Sequence, residues 1–459
     1  MQMKSLALAL GPIVACLATT LMWFSTDIPN VPAALTLGIT LWTVVWWVFE
    51  AVPIPVTSLV PLALLPMFGI LSSKELGAAV GHPLVLLLLG GFLLATALEK
   101  SGAHRRIALA MVRAFGGSSS QRLVFGFMAA SAVLSMWISN TSTVIMLLPV
   151  ATAVITSSKD HNLATPLLLG IAYAASIGGM GTPIGTPPNI VFMGIYQEVT
   201  GSTIAFGTWM SWALPIVLVL LPIAGFWITR NLTYQGSVDL PDVENWSTAE
   251  KRVSAVFALT AFAWITRLSP FGGWTGLLEV PYTNDAIVAF IGVVFLFLIP
   301  NGENGKLLDW ESANKIPWGM LILFGGGMAI ATAFINSGLS QTIAQALTAL
   351  SNLHLLLIMA TICLAVTFLT EVTSNTATTT LLMPIMAAAA IAVHADPKLF
   401  MVPAALSASC AFMLPVATAP NVIIFSTGRF TQATMAREGL ALNLAGVLII
   451  SSMTYMLLG

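Results

Sequence analysis

Charged residues are scarce in this chain, which has 17 lysines and arginines and 18 aspartates and glutamates among its 459 residues. A soluble protein carries about a quarter charged residues, whereas here charged residues make up 8% and hydrophobic residues 57%. So little charge excludes a water-exposed globular surface, and we predict that membrane lipid surrounds the protein. The formal net charge of -1 and the lack of a basic aromatic run argue against a nucleic-acid partner.

Cysteine and histidine are also rare, with three and five copies. Cys16, Cys363 and Cys410 stand far apart in apolar segments, so we predict small buried residues and neither a disulfide framework nor a zinc site. The histidines fall near the ends of apolar segments, which disfavours a metal site. No nucleophile and base are paired in sequence, so an intramembrane enzyme is disfavoured as well.

Long apolar runs are what the chain has instead. A membrane-spanning helix needs about 20 apolar residues, and the first run is too long for a typical cleaved signal core, so it is interpreted as a span. The eleven predicted spans are Leu6 to Phe24, Pro32 to Val48, Pro53 to Leu71, Pro83 to Leu98, Leu163 to Tyr196, Trp209 to Ile228, Val253 to Leu268, Ala286 to Pro300, Trp318 to Ile335, Phe400 to Phe425 and Leu440 to Leu458. Two further stretches, Leu123 to Ile155 and Leu355 to Val393, are interrupted midway by Ser-Asn-Thr and are predicted to form re-entrant hairpins.

The distribution of basic residues tests this arrangement. If each hairpin returns to its starting side, eleven spans place the N-terminus in the cytoplasm and the C-terminus outside. Of the 17 lysines and arginines, all but Lys74, Arg267 and Lys398 then lie inside, as the positive-inside rule requires. We therefore predict a multi-pass protein of the cell membrane, the inner membrane of a bacterium. The segment that carries Arg105 and Arg106 is predicted to be an interfacial helix.

The chain also contains an internal repeat. Three blocks recur in the same order at offsets of 236, 235 and 232 residues: Gly90-Gly91 with Gly326-Gly327, Ser139-Asn140-Thr141 with Ser374-Asn375-Thr376, and Pro188-Asn189 with Pro420-Asn421. The span count gives the two copies opposite orientations, so we predict an inverted repeat of the kind found in secondary transporters. Such proteins bind their cargo near the midplane, between broken helices. The paired glycines are predicted to be close-packing positions.

The interrupted segments suit a site for an anion and a cation together. At a hairpin tip, the amides of the new helix favour an anion, and the carbonyls that end the old helix favour a cation. The prolines and glycines from Gly181 to Asn189 make a continuous helix improbable, and Pro415 to Asn421 repeats the pattern. Carbonyls of Gly185 and Ala417 are therefore candidate sodium ligands.

Two further features belong to these segments. Asn189 and Asn421 are predicted to cap the helices that follow or to bridge to a hairpin tip. No lysine or arginine lies near either tip in the sequence, so neutral donors and co-bound cations are expected to hold the negative charge of the cargo. Glu371, beside the second tip, is interpreted as a structural partner for backbone or hydroxyl groups in preference to a proton carrier.

These blocks resemble the divalent anion/sodium symporter family along essentially the whole chain. The resemblance is carried above all by Thr370-Glu371-Val372-Thr373-Ser374-Asn375-Thr376-Ala377-Thr378 and by the stretch from Ser409 to Asn421. It implies an all-α polytopic homodimer of about 11 transmembrane helices and two re-entrant hairpins per protomer, with a scaffold and a transport domain that moves as an elevator. The scaffold is expected at 1–120 and 230–353, and the transport domain at 121–229 and 354–459.

The resemblance also implies site residues, carried over by position. The first sodium site is expected at Ser135, Ser139, Asn140 and Gly185, and the second at Thr370, Thr373, Asn375 and Ala417. Substrate carboxylates are expected to meet Asn140, Thr141, Thr186, Ser374, Asn375, Thr376 and Thr418. Ala419 departs from the family, which usually has proline there, so the preferred anion stays open.

The leading functional hypothesis is sodium-coupled symport of C4-dicarboxylates such as succinate, fumarate and malate, with sodium ions as coupling ions and no other cofactor. A sodium-independent dicarboxylate exchanger and a sodium-coupled citrate or sulfate transporter are the alternatives. An anion channel is disfavoured, because closed tips on inverted broken helices indicate alternating access.

Overall fold

The computed structural model describes residues 2–25, 30–115, 119–234, 245–269, 272–347 and 353–459, and every named element in these ranges is a helix. The first half contains α1 (Gln2–Ser25), α2 (Val31–Phe49), α3 (Ile54–Thr57), α4 (Leu59–Met67), α5 (Ser73–Val80), α6 (Pro83–Ser101), α7 (Ala103–Phe115), α8 (Ser120–Ser135), α9 (Asn140–Ser157), α10 (Ala164–Gly179), α11 (Pro187–Thr200) and α12 (Phe206–Thr229). The second half contains α13 (Thr248–Ile265), α14 (Gly273–Leu277), α15 (Asp285–Leu298), α16 (Trp310–Ala313), α17 (Trp318–Asn336), α18 (Leu339–Ala346), α19 (Leu355–Thr370), α20 (Asn375–Ala392), α21 (Lys398–Ser407), α22 (Ala419–Phe425) and α23 (Gln432–Leu458).

The predicted all-α, polytopic fold class is confirmed, and each of the eleven predicted spans coincides with one helix or with consecutive helices. In the described ranges, eight helices are long and apolar enough to cross a membrane. The span predicted from Pro53 to Leu71 is shorter in the structure, where α3 and α4 together run from Ile54 to Met67 with a turn at Ser58. Pro61 lacks the N–H that would bond to the Thr57 carbonyl four residues earlier, which explains the turn.

The internal repeat is visible in the helix boundaries. α6 and α17 begin at residues 83 and 318, α8 and α19 at 120 and 355, and α9 and α20 at 140 and 375, so each pair is 235 residues apart. Both predicted broken spans are interrupted: α10 ends at Gly179 before α11 starts at Pro187, and α21 ends at Ser407 before α22 starts at Ala419. A short 3-10 turn, Pro415–Ala417, lies in the second gap.

Ion pairs between helix ends define one face of the molecule, which we call the basic face. The pairs are Lys4 with Glu50, Lys100 with Asp309, Arg106 with Glu250, and Arg230 with Glu438. Hydrogen bonding from Lys100 holds the pKa of the Asp309 carboxyl below its usual range, so this carboxylate is ionised at neutral pH. Four of the residues predicted to lie inside are thus paired at or near helix ends, namely Lys4, Lys100, Arg106 and Arg230; the side of the membrane on which they lie stays a prediction.

The first hairpin, α8 and α9, enters from the basic face and returns to it. Ser120, at the start of α8, donates through its hydroxyl to Asp160 beyond the end of α9, at 2.6 Å. Its backbone N–H donates to the carbonyl of Tyr234, which follows the end of α12, at 3.2 Å. Both ends of the hairpin therefore lie at one level, and residues 136–139 form its tip.

The second hairpin, α19 and α20, enters from the opposite face. Its first residues pack with the end of α20 and the start of α21 in one apolar cluster that contains Ile358, Ala390 and Phe400. His354, before α19, contacts the ring of Tyr455 near the end of α23, and α23 begins at the basic face with Glu438. The two hairpins thus point toward each other, as an inverted repeat requires.

The glycine pairs pack closely as predicted: a Cβ on Gly90 would lie 2.5 Å from the Ala289 Cβ, and one on Gly326 would lie 2.7 Å from the Ser58 carbonyl oxygen.

Cys363 and Cys410 are buried, but the prediction is wrong for Cys16, which is exposed on α1. α1 packs along α2, but most of its residues from Leu6 to Phe24 are not buried inside the protein, so its apolar side chains indicate contact with lipid.

Candidate binding site at the hairpin tips

A cavity of about 990 Å³ separates the two hairpin tips. Its walls come from residues 137–142 and 372–376 at the tips, from residues 184–187, 416–420 and 422 at the broken spans, and from α2, α6 and the start of α17. Each copy's hairpin packs against the other copy's broken span, α9 against α22 and α20 against α11. Both predicted halves of the site therefore face one space.

At the first tip, several oxygen atoms converge. Ser135 donates its hydroxyl proton to Asn140 Oδ1. A Cβ on Gly179 would lie 2.9 Å from Asn140 Oδ1 and 3.2 Å from the Gly185 carbonyl oxygen, and one on Gly185 would lie 3.0 Å from the Ser135 carbonyl oxygen. Only glycine leaves room for this approach. A group of hydroxyl, amide and carbonyl oxygens could hold a small hard cation.

The second tip repeats the arrangement with different side chains. Thr370 Oγ1 lies 2.6 Å from Asn375 Oδ1 and 3.0 Å from the Ala408 carbonyl oxygen, so it can donate to either. The Thr373 and Thr378 hydroxyls lie 2.5 Å apart. The hydroxyl and the amide again stand five residues apart, as at the first tip, so a second group of oxygen donors is formed at the matching position.

The predicted roles of Asn189 and Asn421 are wrong. Both are fully buried, and neither is a cap, because the N-cap residues of α11 and α22 are Thr186 and Thr418. Asn189 Nδ2 donates to carbonyls of its own unwound segment, including that of Thr182 at 2.7 Å, and Asn421 Nδ2 does the same at 2.9 and 3.0 Å. An unwound helix leaves carbonyls without partners, and these amides satisfy them.

Glu371 is the one carboxylate in the tip segments, 135–140 and 370–375, and it is 3% exposed. It accepts hydrogen bonds from the backbone amides of Phe412, Met413 and Leu414 at 2.7 to 2.9 Å. It also accepts one from Asn443 Nδ2 at 2.7 Å. Four donors fit the structural role that the sequence suggested, and they fix the second tip to the unwound segment after α21.

The predicted site residues fall into two groups. Those that line the cavity are Ser139, Asn140, Thr141, Gly185, Thr186, Thr373, Ser374, Asn375, Thr376, Ala417 and Thr418. Ser135 and Thr370 do not line it; they are buried behind the tips, and each is hydrogen-bonded to a cavity asparagine. Eleven of the predicted site residues therefore line one cavity, and the hydroxyls of Ser135 and Thr370 lie behind it, each bonded to one of the cavity asparagines.

Sequence reasoning missed the opposite wall of the cavity. Phe92, Thr96 and Glu99 of α6 line it, together with Lys315 before α17. Their spacing along α6, at intervals of three and four residues, places them on one helix face. That pattern resembles any buried helix face, so no signal distinguished a cavity wall from ordinary packing.

Charge is concentrated at the mouth of the cavity. Glu50, Glu99 and Lys315 are the ionisable residues among the described residues that line it, and all three sit at helix ends on the basic face. Glu50 is paired with Lys4 at 3.3 Å. The cavity therefore opens toward the basic face, and its inner end offers hydroxyls, amides and backbone groups.

Comparison with known proteins identifies the family. The family model CitMHS, described as citrate transporter, matches residues 44–399. The sodium-dependent dicarboxylate transporter SdcS of Staphylococcus saprophyticus is 40% identical over 476 aligned residues, which cover 98% of this chain and 90% of the relative. Its namesake from Staphylococcus aureus strain NCTC 8325 is 38% identical with the same coverage.

Among solved structures, the chain is similar to the YdaH transporter of Alcanivorax borkumensis. The TM-score is 0.58 at 16% sequence identity, and the match covers 85% of this chain and 88% of that one. At this identity the likeness concerns the fold. The relatives, the family match and the apolar helices together show that the chain is a multi-pass integral membrane protein of the divalent anion/sodium symporter family.

Proposed function

We propose that this protein carries C4-dicarboxylates such as succinate across the membrane by symport with sodium ions. The observation that supports this most is the pair of matched oxygen-rich tips on either side of one cavity. A dicarboxylate has an anionic group at each end, so two equivalent sets of neutral donors suit it. The names of the relatives at 38 to 40% identity agree with sodium dependence and with a dicarboxylate cargo.

The absence of a cationic side chain at the inner end of the described cavity explains the coupling. A dianion moved from water to this site loses its hydration, and hydroxyls and amides recover only part of that free energy. Sodium bound at Asn140 and Asn375 would supply the missing positive charge. The cargo then binds well only after sodium, and transport of one requires the other.

The proposed sodium ligands are Ser135, Ser139, Asn140 and Gly185 at the first tip, and Thr370, Thr373, Asn375 and Ala417 at the second. The proposed carboxylate contacts are Asn140, Thr141, Thr186, Ser374, Asn375, Thr376 and Thr418. Eleven of these thirteen residues line the same cavity. Hydroxyl and amide groups can donate to a carboxylate with one atom and bind sodium with another, which suits residues that belong to both sets.

The movement that we propose is that of an elevator. Residues 121–229 and 354–459 would form the moving body, because their hairpins and broken spans pack mainly on each other. Residues 1–120 and 230–353 would form the scaffold of a homodimer. The basic face would be cytoplasmic by the positive-inside rule, in the inner membrane of a bacterium, so the cavity is open to the cytoplasm.

Citrate is a second candidate cargo, because the matching family model is named for it. A third carboxylate would need donors beyond the two tips, and the side chains of Thr96 and Lys315 are donors on the opposite wall, which also carries the acidic Glu99. Competition by citrate and by sulfate against labelled succinate therefore separates the candidate cargoes.

The decisive assay is uptake of labelled succinate into proteoliposomes with and without an inward sodium gradient, with choline as the replacement cation. We expect uptake only with sodium, and its abolition in Asn140→Ala and Asn375→Ala while the dimer stays folded. Exchange with internal succinate that is indifferent to sodium would identify an exchanger. Normal sodium-driven uptake by both variants would contradict the assigned site.

A further inference from the structure

A polar contact joins the proposed moving body to the scaffold at the face opposite the basic face. Glu198, near the end of α11, has a carboxylate oxygen 3.3 Å from the Thr332 hydroxyl of α17, which can donate to this oxygen or to the Met328 carbonyl oxygen at 3.0 Å. Its other carboxylate oxygen lies 3.8 Å from Nε2 of His82, the residue before α6. One side chain of the moving body thus contacts both scaffold helices that are related by the repeat.

His82 is held so that it faces this carboxylate. Its Nδ1 accepts a hydrogen bond from the backbone N–H of Leu84 at 3.2 Å, so the neutral ring carries its proton on Nε2. That Nε2 is buried and has no hydrogen-bond partner among the described residues. A buried donor without a partner is costly, and the Glu198 carboxylate is an acceptor close to it, at 3.8 Å.

The backbone packing at this point is tight as well. A Cβ on Gly194, one turn before Glu198, would lie 2.8 Å from the sulfur of Met328 on α17 and 3.7 Å from Leu84 on α6. α11 therefore lies directly on both scaffold helices. A carboxylate bound at the end of such a close contact resists separation of the two surfaces.

Among the described residues, comparison of the two repeat copies shows that the moving body contacts the scaffold in this way only at the face opposite the basic face. α22 is the counterpart of α11, and in an exact twofold arrangement its end would lie against α6 and α17 at the basic face. Instead Val422 of α22 lines the open cavity and is exposed, whereas its counterpart in α11, Ile190, is buried. The sequence has no acidic residue from Ala419 to Phe430, so the second copy carries no counterpart of Glu198.

We infer that Glu198, held by Thr332 and His82, is a latch that keeps the far face closed while the cavity is open to the basic face. The inference depends on the elevator mechanism proposed above. Moving the body toward the far face must break these contacts, so the latch sets how long the open-to-basic-face state persists. Its loss should shift the population away from that state.

Thiol labelling measures this population without any substrate. Val422→Cys, in a Cys16→Ser background, places a thiol in the cavity, and the remaining cysteines are buried. Purified protein in proteoliposomes is exposed to a membrane-impermeant maleimide on each side in separate runs. Glu198→Ala removes the latch from the moving body, and Thr332→Val removes one donor from the scaffold without changing α11.

A matched control is available on the same face. Glu75 of α5 accepts a hydrogen bond from Asn336 of α17 at 2.8 Å, but both residues belong to the proposed scaffold. We expect labelling of Val422→Cys from the basic face to slow in Glu198→Ala by up to about three- to fivefold, which is the change that loss of a partly exposed polar contact makes in the equilibrium between the two states. Thr332→Val should slow it less, and Glu75→Gln should leave it unchanged.

Equal labelling rates in the parent, Glu198→Ala and Thr332→Val would overturn the latch. Slowing in Glu75→Gln to the same extent as in Glu198→Ala would also overturn it, because the effect would then come from general loosening of that face. Failure of the parent to transport succinate would instead count against the proposed cargo, and failure of sodium with succinate to alter labelling would count against the elevator. The separate readouts keep these failures distinct.

Discussion

Gly185→Ala tests the first proposed sodium site by filling the space that its oxygen atoms require. A Cβ at this position would lie 2.5 Å from the Gly179 carbonyl oxygen and 3.0 Å from that of Ser135. Ordinary contact begins at 3.4 Å, so the Gly179 oxygen or the Gly185 backbone must move by the difference between 3.4 and 2.5 Å, which is about 0.9 Å. The neighbour is backbone, so it cannot rotate away.

That displacement is large on the scale of metal coordination. Hard cations such as Ca²⁺ bind oxygen at roughly 2.3–2.6 Å, and a shift of more than a third of this distance removes a carbonyl from the ligand set. The loss of one oxygen ligand costs about 1.4–2.8 kcal/mol, which corresponds to roughly a tenfold to hundredfold rise in the sodium concentration that half-activates uptake. Uptake at saturating sodium should largely recover, because the carboxylate donors remain.

The assay is sodium activation of succinate uptake in proteoliposomes, with protein folding checked by size-exclusion chromatography. Gly77→Ala is the control, since a Cβ there meets nothing within 4 Å. Ala417→Gly addresses the counterpart position in the second copy, where a methyl group is already accommodated, and should change the sodium dependence little. The reasoning is refuted if Gly185→Ala gives normal uptake with an unaltered sodium dependence.

The remaining predictions concern the supporting residues. Ser135→Ala and Thr370→Val each remove one proposed sodium ligand, so each should raise the half-activating sodium concentration by about tenfold, and an effect on succinate affinity alone would contradict the assignment. Glu371→Gln weakens four hydrogen bonds of a buried carboxylate and should lower stability by about 2–4 kcal/mol, seen as a lower melting temperature; an unchanged melting temperature would disprove the bracing role. Cys16 should react with a lipid-soluble maleimide much faster than the two buried cysteines, as mass spectrometry of the labelled protein would reveal.

Much of the fold follows from signals that act over short distances along the chain. Apolar runs with prolines at their starts mark the helices, and a membrane enforces hydrogen-bonded helices within them. The repeat of Ser139-Asn140-Thr141 as Ser374-Asn375-Thr376 added the long-range information, because a duplicated motif in inverted copies must meet near the midplane. Together, these features predict from the sequence alone that the two hairpin tips lie opposite each other.

Contacts that depend on packing between distant segments could not be predicted in this way. Met136 and Glu371 occupy matching places in the two copies, yet only Glu371 accepts backbone amides, from a segment about 40 residues later. The contact between His82 and Glu198 likewise joins residues that share no motif. Such pairings are set by which helix surfaces meet, and periodicity within one helix does not specify its neighbour.

The central claim is that one cargo binds between two inverted hairpin tips with sodium on either side. Cryo-EM of the protein in nanodiscs with sodium and succinate tests it directly. We expect density for the dianion between Asn140 and Asn375, flanked by cation density next to Ser135 and next to Thr370. Succinate density outside this cavity, or a bound dianion with neither cation present, would contradict the account.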